Sequence, residues 1–370
     1  MKIGIDCRML KATGIGRYIS NLIRELSILD RENSYFLFFK KEDYDLFKEP
    51  GKNFKKVLAP YHWYGLQEQL KLPGILKKYK LDLVHFPHFN VPLLYKGKYV
   101  ITIHDLTLHQ YKTVRASTKS FLTYQIKHSL YKTVIRKAIA KASKILTPSS
   151  FTKEDIITYF SAPQDKIMVT YEGGPSGEMS RKAPDKNIFK KLNLKSPFVL
   201  YVGNAYPHKN LDNLLRSLRY LPLNIRLVLA GKRDEFHNRV AKLAEKMNFS
   251  DRVIFTDFVT DEELVALYRN ASVFVFPSLN EGFGLPALEA QSFGLPVSCS
   301  RRSSLPEILG DSARYFNPLK PKDIAEKIKE ILGNKKLREE LILKGYNKIK
   351  EYSWSKMAKE TLKVYEETGK

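Results

Sequence analysis

The sequence predicts an α/β protein of two doubly wound domains, each a parallel sheet with helices on both faces. Short β-rich runs alternate with segments of helical period, which is the pattern of such sheets. The alternation occurs in two series, separated by a polar stretch that begins near Glu172. A chain of 370 residues also suits two domains, because single hydrophobic cores stop growing near about 250 to 300 residues.

The predicted strands follow from the β-rich runs. In the first series they are residues 2–8, 35–39, 55–58, 83–86, 99–104, 144–147 and 167–171. In the second series they are residues 198–203, 225–231, 253–255, 272–276 and 296–299. Helices are predicted between them, and the chain from Asp323 onward is predicted to be helical. We place the domains at 1–175 and 176–352, and we expect chemistry in a cleft between them, at the carboxyl ends of the strands.

The charge of the chain predicts an acidic partner. The net charge of +24 exceeds the magnitude of about 2 to 8 that suffices for the solubility of a small domain. No carboxylate occurs between Asp105 and Glu154. Cations interleaved with apolar residues there predict a basic amphipathic helix: Lys119, Lys127, Lys132, Arg136 and Lys137. We expect it to bind an anionic membrane surface, while a solvated helix face and a nucleic-acid patch remain alternatives.

Several protein classes are disfavoured by composition. No segment approaches the roughly 18 to 20 apolar residues that span a bilayer, and the start of the chain reads as a strand, without the apolar region of a signal peptide. The two cysteines, Cys7 and Cys299, lie in apolar runs and are expected to be packed, reduced thiols. A cytoplasmic protein is therefore expected.

The most informative motif is the segment 281–290, which follows a predicted strand. Gly282 and Gly284 allow the backbone to approach a ligand, and Pro286 suits the first position of a helix. The free amides of that helix N-terminus would bind an anion such as a diphosphate. Carboxylates accept hydrogen bonds from hydroxyl pairs, so Glu281 and Glu289 are candidates to bind the sugar and ribose hydroxyls of one molecule.

Two loops, each following the first predicted strand of a domain, contain further candidate binding residues. Residues 203–210 lead from a strand to a helix, and Lys209 there would neutralise a diphosphate. Residues 13–18 occupy the predicted turn after the first strand of the chain, where Gly14 and Gly16 would contact phosphate or sugar through the backbone. The third glycine of a dinucleotide fingerprint is missing, which disfavours an NAD site.

Histidines and acidic residues are further candidates for catalysis or metal binding. His104 closes a predicted strand at its carboxyl end and is expected to be functional. Asp43 and Asp45 form a D-x-D triplet in a charged stretch, which we interpret as a solvated loop. For His85 and His88, acceptor contact or packing is favoured over zinc binding, because no third ligand is near in sequence. No metal cofactor is expected.

Together these motifs resemble glycosyltransferase family 4, the retaining enzymes of the GT-B fold, over nearly the whole chain. The resemblance rests on residues 13–18, His104-Asp105, 203–210, 281–290, 304–307 and 352–354. It implies two Rossmann-like domains facing each other across a cleft, the first for the acceptor and the second for the nucleotide sugar. It also implies that a final helix, residues 353–370, crosses back to the first domain.

The resemblance also implies roles at matching positions. Lys209 would bind the donor diphosphate, Glu281 the transferred sugar and Glu289 the ribose, while His104 would lie near the reacting sugar. The remaining donor contacts would come from Gly14, Gly16, Asn204, Gly282, Phe283, Gly284 and Leu285. Asn204 stands where many members carry an arginine, which leaves the second cation open, with Lys232 and Arg233 as candidates.

Within the family, the openings 6–10 and 13–18 and the segment 207–210 look most like those of bacterial O-antigen and polysaccharide mannosyltransferases. GDP-mannose is therefore the favoured donor and a glycan or lipid-linked glycan the expected acceptor, at the inner face of the cell membrane. A UDP- or dTDP-sugar donor remains an alternative, as does a sugar-nucleotide 2-epimerase on the same fold. A basic nucleic-acid-binding protein is a remote alternative that leaves the glycine-flanked carboxylates unexplained.

Overall fold

A computed structural model of the protein describes residues 1–111, 121–174, 182–194 and 197–369, without the side chains of residues 13 and 121–128. Contacts divide these residues into two units. The first contains residues 1–109, 121–173 and 353–369, and the second contains 110–111, 174, 182–194 and 197–352. The predicted domain boundary, between residues 175 and 176, lies outside the described residues.

The first unit is built on a seven-stranded parallel sheet in the order β3-β2-β1-β4-β5-β6-β7. Its strands are β1 (Lys2–Asp6), β2 (Ser34–Phe39), β3 (Phe54–Leu58), β4 (Leu83–Phe86), β5 (Tyr99–Thr102), β6 (Lys144–Thr147) and β7 (Ile167–Val169). The helices between them are α1 (Thr13–Leu29), α2 (Lys41–Tyr44), α3 (Leu66–Lys78), α4 (Thr107–Gln110), α5 (Phe121–Lys141) and α6 (Ser150–Phe160). Since β1 and β5 end two residues earlier than predicted, Arg8 and His104 lie beyond the sheet.

The second unit repeats this design with a six-stranded parallel sheet in the order β10-β9-β8-β11-β12-β13. Its strands are β8 (Phe198–Val202), β9 (Arg226–Ala230), β10 (Val253–Phe255), β11 (Val273–Phe276), β12 (Val297–Ser300) and β13 (Ala313–Phe316). Its helices are α7 (Asn187–Lys191), α8 (Leu211–Ser217), α9 (Glu235–Lys246), α10 (Asp261–Asn270), α11 (Leu285–Ser292), α12 (Leu305–Leu309), α13 (Pro321–Gly333) and α14 (Lys335–Lys348). The predicted fold class, two doubly wound parallel-sheet domains, is confirmed.

The last helix, α15 (Trp354–Gly369), packs in the first unit. Its apolar face is buried, and this face includes Trp354, Val364 and Tyr365. The Tyr365 hydroxyl lies 2.6 Å from Nδ1 of His85 in β4. Gly173 packs directly on Trp354, where a β-carbon would come within 2.5 Å of the indole ring. The core of the first unit is therefore completed by a segment from the far end of the chain.

Three local predictions were wrong. Residues 13–18 lie in α1 and not in a turn, because the turn is already made upstream, where Leu10 N donates to Cys7 O at 3.0 Å and Ala12 N to Met9 O at 2.9 Å. Pro286 is the second residue of α11, not the first. The strand β13 was missed because its exposed Arg314 interrupts the apolar run, as is usual at a sheet edge.

The interpretation of the D-x-D triplet as a solvated loop was wrong for Asp43, whereas Asp45 is exposed just after α2. Asp43 is in α2 and only 2% exposed, and its carboxylate lies 3.0 Å from Nζ of Lys11. An ion pair with a lysine 32 positions away in sequence allows this burial, and the sequence around Asp43 does not reveal that partner.

Candidate functional site

The candidate donor site lies at the carboxyl edge of the sheet in the second unit. Strand order reverses between β8 and β11, and such a switch point opens a crevice for ligands. The loops after these two strands are joined by hydrogen bonds, from Leu279 N to His208 O at 2.7 Å and from Asn210 Nδ2 to Pro277 O at 3.1 Å. The two motifs singled out in the sequence are therefore neighbours.

Lys209 and Glu281 form an ion pair across these loops, with Nζ and Oε1 2.6 Å apart. Their side chains are 14% and 13% exposed, so the pair is partly shielded from water but reachable from the crevice. Lys209 ends a 3₁₀ turn, Pro207–Lys209, after which Asn210 adopts a left-handed conformation with φ of 59°. This sharp turn directs the lysine toward the glutamate loop.

Two serines hold the backbone of the Glu281 loop. The amide of Glu281 donates to Ser303 Oγ at 3.1 Å, and its carbonyl accepts from Ser304 Oγ at 2.9 Å. Ser304 also contacts the carbonyl of Phe283 at 3.2 Å. Sequence reasoning did not assign these supports, although Ser304 directly precedes the helix-starting Leu305-Pro306 pair.

The helix α11 begins at this loop. Gly284 precedes its first residue, Leu285, and has φ of +109°, a conformation that side chains strongly disfavour. Gly282, Phe283 and Gly284 are buried. The first amides of a helix have no partner within the helix and carry partial positive charge. With Lys209 beside it, this edge can bind an anion.

Glu289 is the fifth residue of α11 and differs from Glu281 in its surroundings. It is 2% exposed, and its Oε2 accepts a hydrogen bond of 3.1 Å from the hydroxyl of Tyr268, which comes from α10. Tyr268 had no distinguishing signal in the sequence, where it reads as one apolar position of an amphipathic helix. The two glutamates are thus a partly exposed ion-pair member and a buried carboxylate.

Asn204 lies between β8 and Lys209 in a tightly folded loop. Its carbonyl accepts a hydrogen bond of 2.6 Å from the hydroxyl of Tyr201. The loops after β8 and β9 touch at Gly203 and Gly231, where a β-carbon on Gly231 would collide with the Gly203 carbonyl oxygen. The loops after β8 and β9 therefore pack backbone against backbone at the carboxyl edge of the sheet.

In the first unit, His104 follows β5 and is held at both ring nitrogens. Nδ1 lies 3.0 Å from Oε1 of Glu172, and Nε2 lies 3.1 Å from the carbonyl oxygen of Pro87. The ring of Tyr18 meets His104 edge-on, with centroids 5.0 Å apart. Glu172 was missed as a partner because the sequence places it at the start of the polar stretch between domains.

A buried polar chain lies beside His104. Tyr18 hydroxyl and Thr102 Oγ1 are 3.1 Å apart, and Thr102 Oγ1 is 2.8 Å from Nε2 of His85. Burial lowers the pKa of His85 to about 3, so its ring is neutral, and burial raises the pKa of Tyr18. His85 is thus a packing residue. His88 is partly exposed, and its ring packs on Phe89 with centroids 3.9 Å apart.

The loop after β1 is braced by Arg8, which is 1% exposed. Its guanidinium lies 2.6 Å from Oδ2 of Asp6 and 2.6 Å from Oε1 of Glu68. Packing explains why glycine occupies position 16 in the adjoining α1, because a β-carbon there would collide with the carbonyl oxygen of Leu10. Gly14 is exposed, and a β-carbon on it would meet none of the described residues within 4 Å.

The predicted basic helix corresponds to α5. Lys132, Arg136 and Lys137 are exposed on it, while Ile135 and Ile139 are buried. Lys119 lies outside the described residues, and so does the side chain of Lys127. Lys132, Arg136 and Lys137 share one solvent face.

The described residues contain neither a cluster of metal ligands nor a membrane-spanning helix. Among them, no group of three or more His, Cys, Asp or Glu side chains is placed to hold a metal ion. None of the helices there is both long and apolar enough to cross a membrane. Cys7 and Cys299 are unpaired by disulfide and buried, as predicted, and burial raises the pKa of both thiols.

Comparison with known proteins covers both units. Residues 12–173 match the model of Glycosyltransferase Family 4, and residues 184–348 match that of Glycosyl transferases group 1. The chain is 29% identical to the O-antigen chain mannosyltransferase B of Escherichia coli, over 95% of this chain and 96% of that protein. It is 27% identical to the O-antigen chain mannosyltransferase RfbU of Salmonella typhimurium, over 80% of this chain and 78% of that protein.

The same architecture occurs in solved structures. Sucrose-phosphate synthase of Thermosynechococcus elongatus matches with a TM-score of 0.79 and 19% identity, over 99% of this chain and 98% of that chain. This likeness concerns the fold, and it agrees with the GT-B fold that the sequence predicts.

Proposed function

The chain belongs to glycosyltransferase family 4, and from that premise we propose that it transfers mannose from GDP-mannose to a glycan or lipid-linked glycan. The observation that carries the proposal is the Lys209–Glu281 pair of 2.6 Å at the N-terminus of α11. A cation and the positive end of a helix suit a diphosphate, and the adjacent carboxylate suits sugar hydroxyls. Mannose as the sugar is supported by the names of the two bacterial relatives.

In the proposed reaction, the bond between the sugar C1 and the diphosphate oxygen breaks while a bond from C1 to the acceptor hydroxyl oxygen forms. Lys209 and the positive end of α11 stabilise the negative charge that develops on the departing diphosphate. The acceptor hydroxyl gives its proton to the leaving phosphate, and the configuration at C1 is retained. These groups supply positive charge at the leaving group, which supports transfer without a metal ion.

The roles of the other residues follow the same proposal. Glu281 binds the transferred sugar, Glu289 binds the ribose, and His104 lies against the reacting sugar. Gly14, Gly16, Asn204, Gly282, Phe283, Gly284 and Leu285 complete the donor contacts. The acceptor binds in the first unit.

We also propose that the protein works at the inner face of the cell membrane, with the exposed cations of α5 on anionic lipid. A lipid-linked acceptor would be presented there. The net charge of +24 and the shared solvent face of Lys132, Arg136 and Lys137 support this placement.

The donor is tested by thermal shift and by turnover with GDP-mannose and with UDP-, ADP- and dTDP-sugars. A donor present at about 100 times its Kd stabilises the protein by about 2.7 kcal/mol, and we expect GDP-mannose to do so. Turnover is then measured with a chelator, to test the need for a metal ion, and without acceptor, to test the need for an acceptor.

Glu281→Ala is expected to abolish most turnover, and wild-type turnover in that variant would refute the site. Conversion of GDP-mannose to an isomer without acceptor would instead indicate an epimerase.

A further inference from the structure

We propose that Glu172 is a positioning residue for His104: its carboxylate fixes the imidazole in the one orientation that meets the transferred sugar. The inference rests on the proposed function, because it takes His104 to lie against that sugar. Glu172 comes just before the chain leaves the first unit at Gly173, far in sequence from the histidine. Its contact with Nδ1, at 3.0 Å, is the observation from which the inference starts.

The two contacts of the ring define a single orientation. A backbone carbonyl and a carboxylate can only accept a hydrogen bond, so both ring nitrogens must donate. Nε2 donates to Pro87 O at 3.1 Å and Nδ1 donates to the Glu172 carboxylate at 3.0 Å, so in this arrangement each nitrogen carries a proton. Rotating the ring by half a turn would place carbon atoms against both acceptors and lose both contacts. Tyr18, edge-on at 5.0 Å, limits the remaining tilt.

Glu172 is itself held in place on both sides. Before it, Thr170 N donates to Thr147 O at 2.8 Å, which continues the β7 pairing. After it, Gly173 packs on Trp354 of α15. The Glu172 side chain is 6% exposed. A buried carboxylate without a partner is costly, so its contact with His104 also keeps the carboxylate from turning elsewhere.

These features describe positioning and not a direct catalytic role. The carboxylate is almost hidden from solvent and is occupied by the imidazole. A side chain that acts through another should lower turnover without weakening ground-state binding of the nucleotide. Misplacement of a group by about 1 Å can cost up to about 100-fold in rate.

The test uses the full chain with E172Q, E172D, H104A and the double variant H104A/E172Q. The matched control is E154Q, which removes the same charge from an exposed position of α6. We expect E172Q to lower kcat by about 10- to 100-fold while the Kd for GDP stays unchanged. E172D should lose less kcat than E172Q, because aspartate keeps the negative charge. Some loss should remain, because its side chain is one methylene shorter and does not reach the ring as well. E154Q should match wild type.

Non-additivity is the decisive kinetic result. If Glu172 acts only through His104, E172Q should cause little further loss in the H104A background. A full additional loss there would overturn the inference, and so would wild-type kcat in E172Q. If E172Q does not fold, E172D and its double variant with H104A are compared in the same way.

A second measurement does not depend on turnover. The ring nitrogen shifts of His104, assigned in ¹⁵N-labelled protein by their loss in H104A, should change in E172Q and not in E154Q. Unchanged shifts would overturn the inference. Wild-type kcat in H104A, by contrast, would refute the proposed role of His104 in the function. The ring shifts would then still test whether Glu172 holds the His104 ring.

Discussion

Lys209 and Glu281 are 2.6 Å apart and come from loops that follow different strands of one sheet. Without ligand, each residue neutralises the other. A nucleoside diphosphate that binds Lys209 must therefore compete with Glu281, whereas a nucleotide sugar can offer phosphate to the lysine and hydroxyls to the glutamate together. We therefore expect the pair to favour the complete donor over the spent nucleotide.

Glu281→Gln should have opposite effects on nucleotide binding and on turnover. Removing the carboxylate frees Lys209, so the affinity for GDP should rise severalfold. Turnover should fall by at least about tenfold, since hydrogen bonds to a charged group contribute about 1.5–3 kcal/mol. Calorimetric titration with GDP and steady-state rates give the two values.

Two further variants are compared with Glu281→Gln in the same two measurements. Lys209→Met should weaken both GDP binding and turnover. Glu330→Gln, which disrupts an ion pair on the surface of the same unit, should leave both unchanged. A Glu281→Gln protein that binds GDP more weakly than wild type would contradict the competition between carboxylate and phosphate.

Glu289→Gln tests the ribose contact. The affinity for GDP should fall about tenfold, because the lost contacts involve a charged acceptor. Wild type should discriminate GDP from its 2′,3′-dideoxy analogue, and the variant should not. Tyr268→Phe, which removes only the 3.1 Å support of the carboxylate, should have a smaller effect. Equal discrimination by Glu289→Gln and wild type would mean that another group meets the ribose.

Gly14 and Gly16 should respond differently to alanine. Gly16→Ala forces a β-carbon against the Leu10 carbonyl, and overpacking of this kind costs about 1–3 kcal/mol. Gly14→Ala meets none of the described residues and should leave the free energy of unfolding within about 0.5 kcal/mol of wild type, but it should raise the KM for the donor. Denaturant unfolding and donor kinetics separate the effects. Unchanged KM in a stable Gly14→Ala protein would remove Gly14 from the donor site.

His85 predicts a pH dependence of stability. Its pKa is lowered by burial from 6.5 to about 3, so between these values the unfolded chain binds the proton and the folded chain does not. The free energy of unfolding should therefore fall as pH drops below 6.5, by up to about 1.4 kcal/mol per pH unit from this group. His85→Gln should reduce that slope over pH 5–6.5, measured by denaturant unfolding. Exposed His62→Gln should not; equal slopes in wild type and His85→Gln would contradict the assignment.

The solvent face of α5 predicts lipid dependence. Replacing Lys132, Arg136 and Lys137 by glutamate should weaken binding to anionic vesicles by roughly 100-fold or more, since each basic residue contributes about 1 kcal/mol at such a surface. Replacing Lys329, Lys335 and Lys336, which are exposed in the second unit, should have little effect. Flotation of wild type that does not depend on anionic lipid would refute the membrane proposal.

Residues at the carboxyl ends of strands could be located from the sequence, because strand and loop patterns there are local. His104, Lys209 and Glu281 are examples. Their supports could not be located in the same way. Glu172 is 68 positions from His104 and Ser303 is 22 positions from Glu281, and only the order of strands in the sheet brings them together. Asp43 was misread for the same reason, since its partner Lys11 lies 32 positions earlier, in the turn before α1.

The hydrogen bond between His85 and Tyr365 joins residues 280 positions apart, and this has a consequence for how the chain folds as it is made. At about 5–20 residues per second, roughly 15 to 60 s separate the synthesis of β4 from that of α15. During that interval the sheet of the first unit lacks the helix that covers His85 and packs on Gly173. The second unit is complete first, so the part of the protein that begins folding earliest is the one that finishes last.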